Sequence, residues 1–149
     1  MSAPKAASNR PWDRWWWRYL ASDALGSALA WATLFAFRKG VVEPRRFGME
    51  LDMQPDANFW MAMVAVPVFW WGVHALMGMY ADVRRRHRGL EVRQVIRAGA
   101  FGGVILFFAL LLDDVTQTHV DHYQTLGVWL STHVALVLMG RWVGCHRVV

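Results

Sequence analysis

The sequence predicts an all-α integral membrane protein, a four-transmembrane-helix bundle with both termini on the cytoplasmic side. Three observations carry that expectation. First, 56% of the 149 residues are hydrophobic and only 18% are charged, too apolar a balance for an ordinary soluble domain. Second, the apolar residues fall into four blocks, and the ten tryptophans sit mostly at or near block ends, where an amphipathic ring suits the headgroup layer. Third, the stretch from Tyr80 to Arg97 packs six arginines between two long apolar runs, the pattern of a cytoplasmic hinge between membrane helices.

Residues 1–9 are small and polar with nothing to bury, and read as a disordered tail. Residues 10–18 interleave Arg10, Arg14 and Arg18 with Trp12, Trp15, Trp16 and Trp17, which suits a segment lying among anionic headgroups before the chain enters the bilayer. The membrane domain is expected over 19–143, followed by a cytoplasmic tail over 144–149. The first span, about 19–37, is long enough at roughly 1.5 Å per residue to cross a hydrocarbon core of about 30 Å. Its Ala24, Ala28, Ala32 and Ala36 form a smooth stripe expected to pack against a neighbouring helix. Residues 38–57 read as a polar connection with turns at Pro44, Gly48 and Pro55.

The second span, about 59–80, carries Pro67, tolerable where neighbouring helices cover the freed carbonyl. The third, about 90–112, starts at the membrane surface, with Gly99, Gly102 and Gly103 placed for close packing. Residues 113–122 form a short acidic loop without lysine or arginine. The fourth span, about 123–143, repeats a small-residue stripe at Gly127, Ser131 and Ala135.

Orientation follows from basic residues, which are retained on the cytoplasmic face during insertion. The amino-terminal segment, central loop and carboxyl tail hold Lys5, Arg10, Arg14, Arg18, Arg84, Arg85, Arg86, Arg88, Arg93, Arg97, Arg141 and Arg147, twelve against four in the other two loops. Because these arginines flank apolar blocks and form no separate basic face, the +5 net charge does not indicate nucleic acid as a partner. The single cysteine, Cys145, excludes an internal disulfide and a cysteine-based zinc site.

Ionisable residues inside a span are costly and usually face a partner or cavity. Asp23 and His74 lie at matching depths, roughly 6–9 Å from the cytoplasmic ends of spans one and two. They read as an intramembrane polar pair that locks the two helices, with proton transfer or lipid-phosphate binding as the functional alternative. His133, near the middle of span four, receives no ligand role. His119, Asp121 and His122, with Asp113 and Asp114 nearby, have zinc-binding side chains but nonspecific spacing, and read as a solvated turn. Arg93 and Arg97, at i and i+4 on the entering third helix, share a face suited to a lipid phosphate or an acidic surface of a cytoplasmic domain. No catalytic constellation and no metal site emerge.

Several stretches together resemble one known membrane module. YLASDALGSALAWATLFAFRKGVVEP, NFWMAMVAVPVFWWGVHALMGMY and RGLEVRQVIRAGAFGGVILFFALLLDD with the following HYQTL are similar to the amino-terminal membrane region of bacterial sugar transferases. These are the undecaprenyl-phosphate hexose-1-phosphate transferases, in the form found in Bacteroidetes-like bacteria, and the resemblance covers about 19–141. It implies a four-helix region in the bacterial inner membrane, ahead of a nucleotide-fold domain and a catalytic domain that uses an Asp-Glu pair and magnesium. That catalytic domain transfers a sugar phosphate to undecaprenyl phosphate in capsule or exopolysaccharide synthesis. None of its sequence stands in these residues, and Asp113 and Asp114 match the family's external-loop position, so no catalytic residue and no magnesium ligand carries over.

Two expectations follow. One is a membrane-anchoring, homo-oligomer-forming domain of such a transferase, inactive alone and served by a cytoplasmic transferase domain in cis or trans. The other is a free-standing small membrane protein that binds membrane lipids, undecaprenyl phosphate among them, or scaffolds a polysaccharide-assembly complex.

Overall fold

The computed structural model describes residues 16–48, 54–80, 88–113 and 119–145. Within them the chain is helical throughout, without strands: α1 Trp16–Phe37, a π-helical turn Arg38–Val42, α2 Glu43–Phe47, α3 Ala57–Leu76, α4 Arg88–Asp113 and α5 His119–Cys145. Four of these helices are long and apolar enough to cross a membrane. The amino-terminal segment to residue 15, the arginines at 84–86 and residues 114–118 lie outside the described residues, as do the side chains of Asp113, His119, Asp121 and His122.

Helix boundaries depart from the expectation in three places. The expected polar connection over 38–57 is half helical, since α1 runs through the π-turn into α2 and stops only at Gly48, where φ is +66°. Pro44 at the start of α2 has no N–H to give a carbonyl one turn back, and the wider π-turn before it, closed by Glu43 N–H to Arg38 O, carries the helix through. Lys39 and Glu43, 3.0 Å apart at i and i+4, fasten that turn.

The second departure is the end of α3. The helix begins under an Asp56 cap, whose Oδ1 accepts the Phe59 N–H at 2.8 Å, and runs through buried Pro67. It stops at Leu76, short of residue 80. Gly78, at φ +65°, donates to Ala75 O, while Met79 donates to His74 O, the paired bonds of a Schellman turn. The turn folds Met79 and Tyr80 back onto the bundle. Third, α5 begins at His119, four residues before the expected span, within the expected loop.

Large apolar side chains cover the surface, while a few polar ones are buried beside an apolar core. Leu25, Leu29, Val64, Val68, Phe101, Val104, Phe108 and Val143 point outward, a surface that hydrocarbon suits better than water. Asp23, Ser27, His74, His133 and Arg141 are buried. Helix α1 packs chiefly on α5 and then on α3, and α4 closes the bundle against α5.

The two predicted small-residue stripes differ in outcome. On α1, Ala24, Ala28 and Ala32 are half-buried and Ala36 is exposed, whereas Gly127, Ser131 and Ala135 on α5 are all exposed. The buried line of α1 is Tyr19, Asp23, Gly26, Ser27, Ala30 and Leu34, and that of α5 is Thr125, Trp129, His133, Val137 and Arg141. The polar residues fit this rotation, because turning Asp23 or Arg141 outward would part the carboxylate from its donors. Close approach is supplied elsewhere. A Cβ on Gly26 would stand 3.3 Å from the Val137 backbone nitrogen, and one on Gly102 only 2.5 Å from the Trp70 ring. The glycines expected to pack on α4 do so, with Gly99 against Val134 and Gly103 against Leu130.

Candidate functional site

At one end of the bundle the starts of α1 and α4 meet the ends of α3 and α5. There the fold gathers its charged interior around Asp23, which is 0% exposed. Arg141, arriving from 118 residues away on α5, grips the carboxylate with one edge of its guanidinium: Nε donates to Oδ1 at 2.9 Å and Nη2 to Oδ2 at 2.5 Å. His74 on α3 places Nδ1 3.0 Å from Oδ2, and since an ionised carboxylate only accepts, the imidazole carries its proton on Nδ1. Tyr80, delivered by the Schellman turn, donates its hydroxyl to Oδ2 at 2.9 Å. Tyr80 lies beyond the end of α3, and burial first, then the Asp23 charge, raises its phenol above its ordinary range and keeps it a donor.

A second ring of contacts holds these groups still. Arg141 lies over the Tyr19 ring, with its guanidinium carbon 5.4 Å from the centroid, and over Tyr80 at 6.0 Å. Ser27 donates to the Asp23 carbonyl at 2.7 Å, and the Trp71 indole donates to Leu20 O at 3.0 Å, tying α3 to α1 one turn nearer the end. Arg141 Nη1 reaches Glu91 Oε1 on α4 at 3.5 Å, the long contact of the set. One acid therefore engages three of the four long helices, and its arginine touches the fourth.

Deeper in the bundle the polar chemistry changes. His133, 1% exposed, stacks on Trp70 at 3.7 Å between ring centroids and 18° between planes. Its two ring nitrogens, and the indole nitrogens of Trp31, Trp70 and Trp129, have no hydrogen-bond partner in the structure. The His74 and His133 rings lie 6.0 Å apart. Among the described residues no three His, Cys, Asp or Glu side chains group as metal ligands.

The structure thus brings Asp23 and His74 into contact and adds two partners that sequence reasoning missed, Arg141 and Tyr80. The charge count treats Arg141 only as a flanking residue, although it stands inside span four, two residues before its expected end. The expected span two ends at Tyr80, although Gly78 two positions earlier signals a helix stop. Arg93 and Arg97 are exposed on α4, with Arg93 Nε donating to its own helix at Gly89 O, and the Asp23 cluster does not include them.

Chemically the cluster is closed. Both carboxylate oxygens are occupied, by four donors in all, and the arginine has one edge left, directed at Glu91. Such an arrangement fixes helices against each other. No protein-family model, curated protein or solved structure matches the chain.

Proposed function

We propose that this chain is the membrane-anchoring and oligomer-forming domain of a polyprenyl-phosphate sugar-1-phosphate transferase of capsule or exopolysaccharide synthesis, and that it is not catalytic by itself. The observation that supports the non-catalytic part is the engagement of Asp23, whose two carboxylate oxygens accept four hydrogen bonds from Arg141, His74 and Tyr80. An acid so engaged holds a bundle together and offers nothing to a nucleotide sugar. The assignment to a transferase rests on the resemblance of residues 19–141. The bundle is read as crossing the bacterial inner membrane with both termini cytoplasmic, from the twelve-to-four distribution of basic residues.

A second reading, a free-standing lipid-binding membrane protein, is favoured by one observation: the cluster borders an open, mostly apolar cleft between α4 and α5. Coding sequence directly downstream separates the two. A nucleotide-fold and sugar-transferase segment supports the first, and unrelated sequence supports the second. The activity test is direct. The purified chain, given radiolabelled nucleotide sugar, magnesium and undecaprenyl phosphate, is expected to form no lipid-linked product, and turnover would overturn the non-catalytic reading.

A further inference from the structure

We propose that the exposed face of α4 binds a membrane lipid whose headgroup is a phosphate monoester, through Arg93 and Arg97. Such a site requires α4 to cross a membrane, and it stands under either reading of function. Arg93 and Arg97 lie one turn apart on one face of the helix, and both are exposed. Among the described residues Arg97 has no hydrogen bond or ion pair, and Arg93 gives only its Nε, to Gly89 O at 3.3 Å. The acid of that turn, Glu91, lies on the other side of α4 and faces Arg141.

Depth makes this pair costly unless an anion answers it. The apolar stretch of α4 runs from Arg88 to Ala109, and Arg97 stands nine residues beyond its start, roughly 14 Å along the axis. A long side chain snorkels back part of that distance, and drawing a phosphate toward it covers the rest. Beyond the pair the same face continues as Ala100, Val104 and Phe108, spaced three and four residues apart and all exposed. From Arg97 to Phe108 this apolar track extends roughly 16 Å. Two cations heading a hydrocarbon track match the layout of a lipid with an anionic head.

Charge and oxygen count select the headgroup. A phosphate diester carries one charge and two terminal oxygens, which a single guanidinium fork can occupy. A phosphate monoester has a third terminal oxygen and about −1.5 to −2 charges at pH 7, enough for both forks. Arginine suits this pairing better than lysine, because its planar donors meet two oxygens at once.

The test is lipid retention by the full chain in nanodiscs of phosphatidylcholine that carry equal amounts of phosphatidic acid, phosphatidylmethanol and phosphatidylglycerol. After extraction in mild detergent, the retained lipids are quantified by mass spectrometry. Phosphatidylmethanol differs from phosphatidic acid only by a methyl cap on one phosphate oxygen, so this comparison uses the unaltered protein. Phosphatidic acid is expected to be enriched about tenfold over both diesters, the factor that one further charge-assisted hydrogen bond supplies. Arg93→Gln combined with Arg97→Gln should remove the enrichment, whereas Arg45→Gln, at an exposed arginine of α2, should leave it intact. Inorganic phosphate in excess should displace none of the lipid, because the chain on the apolar track also holds it. Diesters retained as well as the monoester, an enrichment that survives the double substitution or is lost with Arg45→Gln, or displacement by inorganic phosphate would each overturn the site while the membrane reading stands. A chain that fails to enter the nanodisc would overturn both.

Discussion

Asp23 and Arg141 each make the other tolerable. A carboxylate or a guanidinium alone in the bundle interior would carry most of its desolvation cost, whereas together, with His74 and Tyr80, their donors and acceptors are matched. Removing one partner is therefore worse than removing both. Arg141→Met is expected to cost about 3–5 kcal/mol of stability, because it strands the carboxylate, while Asp23→Leu combined with Arg141→Met should recover most of that loss. Thermal or denaturant unfolding in detergent, followed by circular dichroism, measures the cycle. Additive losses in the double variant would show that the two residues act separately. His133 is the contrasting case: it is equally buried, yet its nitrogens lack partners, and ring stacking on Trp70 supplies its only described polar-ring contact besides His74.

Among the elements, the end of α3 most affects the site. Gly78 adopts a left-handed conformation that costs an L-residue roughly 1–2 kcal/mol, and the turn it makes aims Tyr80 at Asp23. Gly78→Ala should destabilise the protein by about 1 kcal/mol and reduce the further loss caused by Tyr80→Phe, since the hydroxyl no longer reaches its acceptor. Equal effects of Tyr80→Phe in both backgrounds would show that the turn does not position it. Gly89→Ala, in open space without positive φ, is the control and should be neutral to mildly stabilising. The number and order of long helices were legible from apolar block length, because a span must satisfy its backbone internally over a fixed thickness. Their rotations were not. Ala24–Ala36 and Gly127–Ala135 share the spacing of a packing seam, but small residues only permit approach, whereas Asp23 and Arg141 compel inward orientation. The pairing of residues 118 positions apart leaves no local periodicity to read.

For the whole molecule, the alternating course of α1, α3, α4 and α5 puts the Asp23 cluster at the end shared by the beginning of α1 and the close of α5. Among the described residues, Arg18 near the start of α1 and Arg88 at the start of α4 lie toward the same end. Each such residue near an anionic leaflet contributes on the order of 1 kcal/mol, and the asymmetry of twelve to four is the basis of the proposed orientation. Under that proposal the cluster would belong to the cytoplasmic leaflet. A fluorescent protein that folds only in the cytoplasm, fused after Val149, is expected to be bright, and alkaline phosphatase at the same position to be inactive. Phosphatase inserted at Asp52, in the connection between α2 and α3, should be active. The reverse pattern at both positions would put the cluster in the outer leaflet and overturn the orientation, while the intramolecular contacts of Asp23 would stand unchanged.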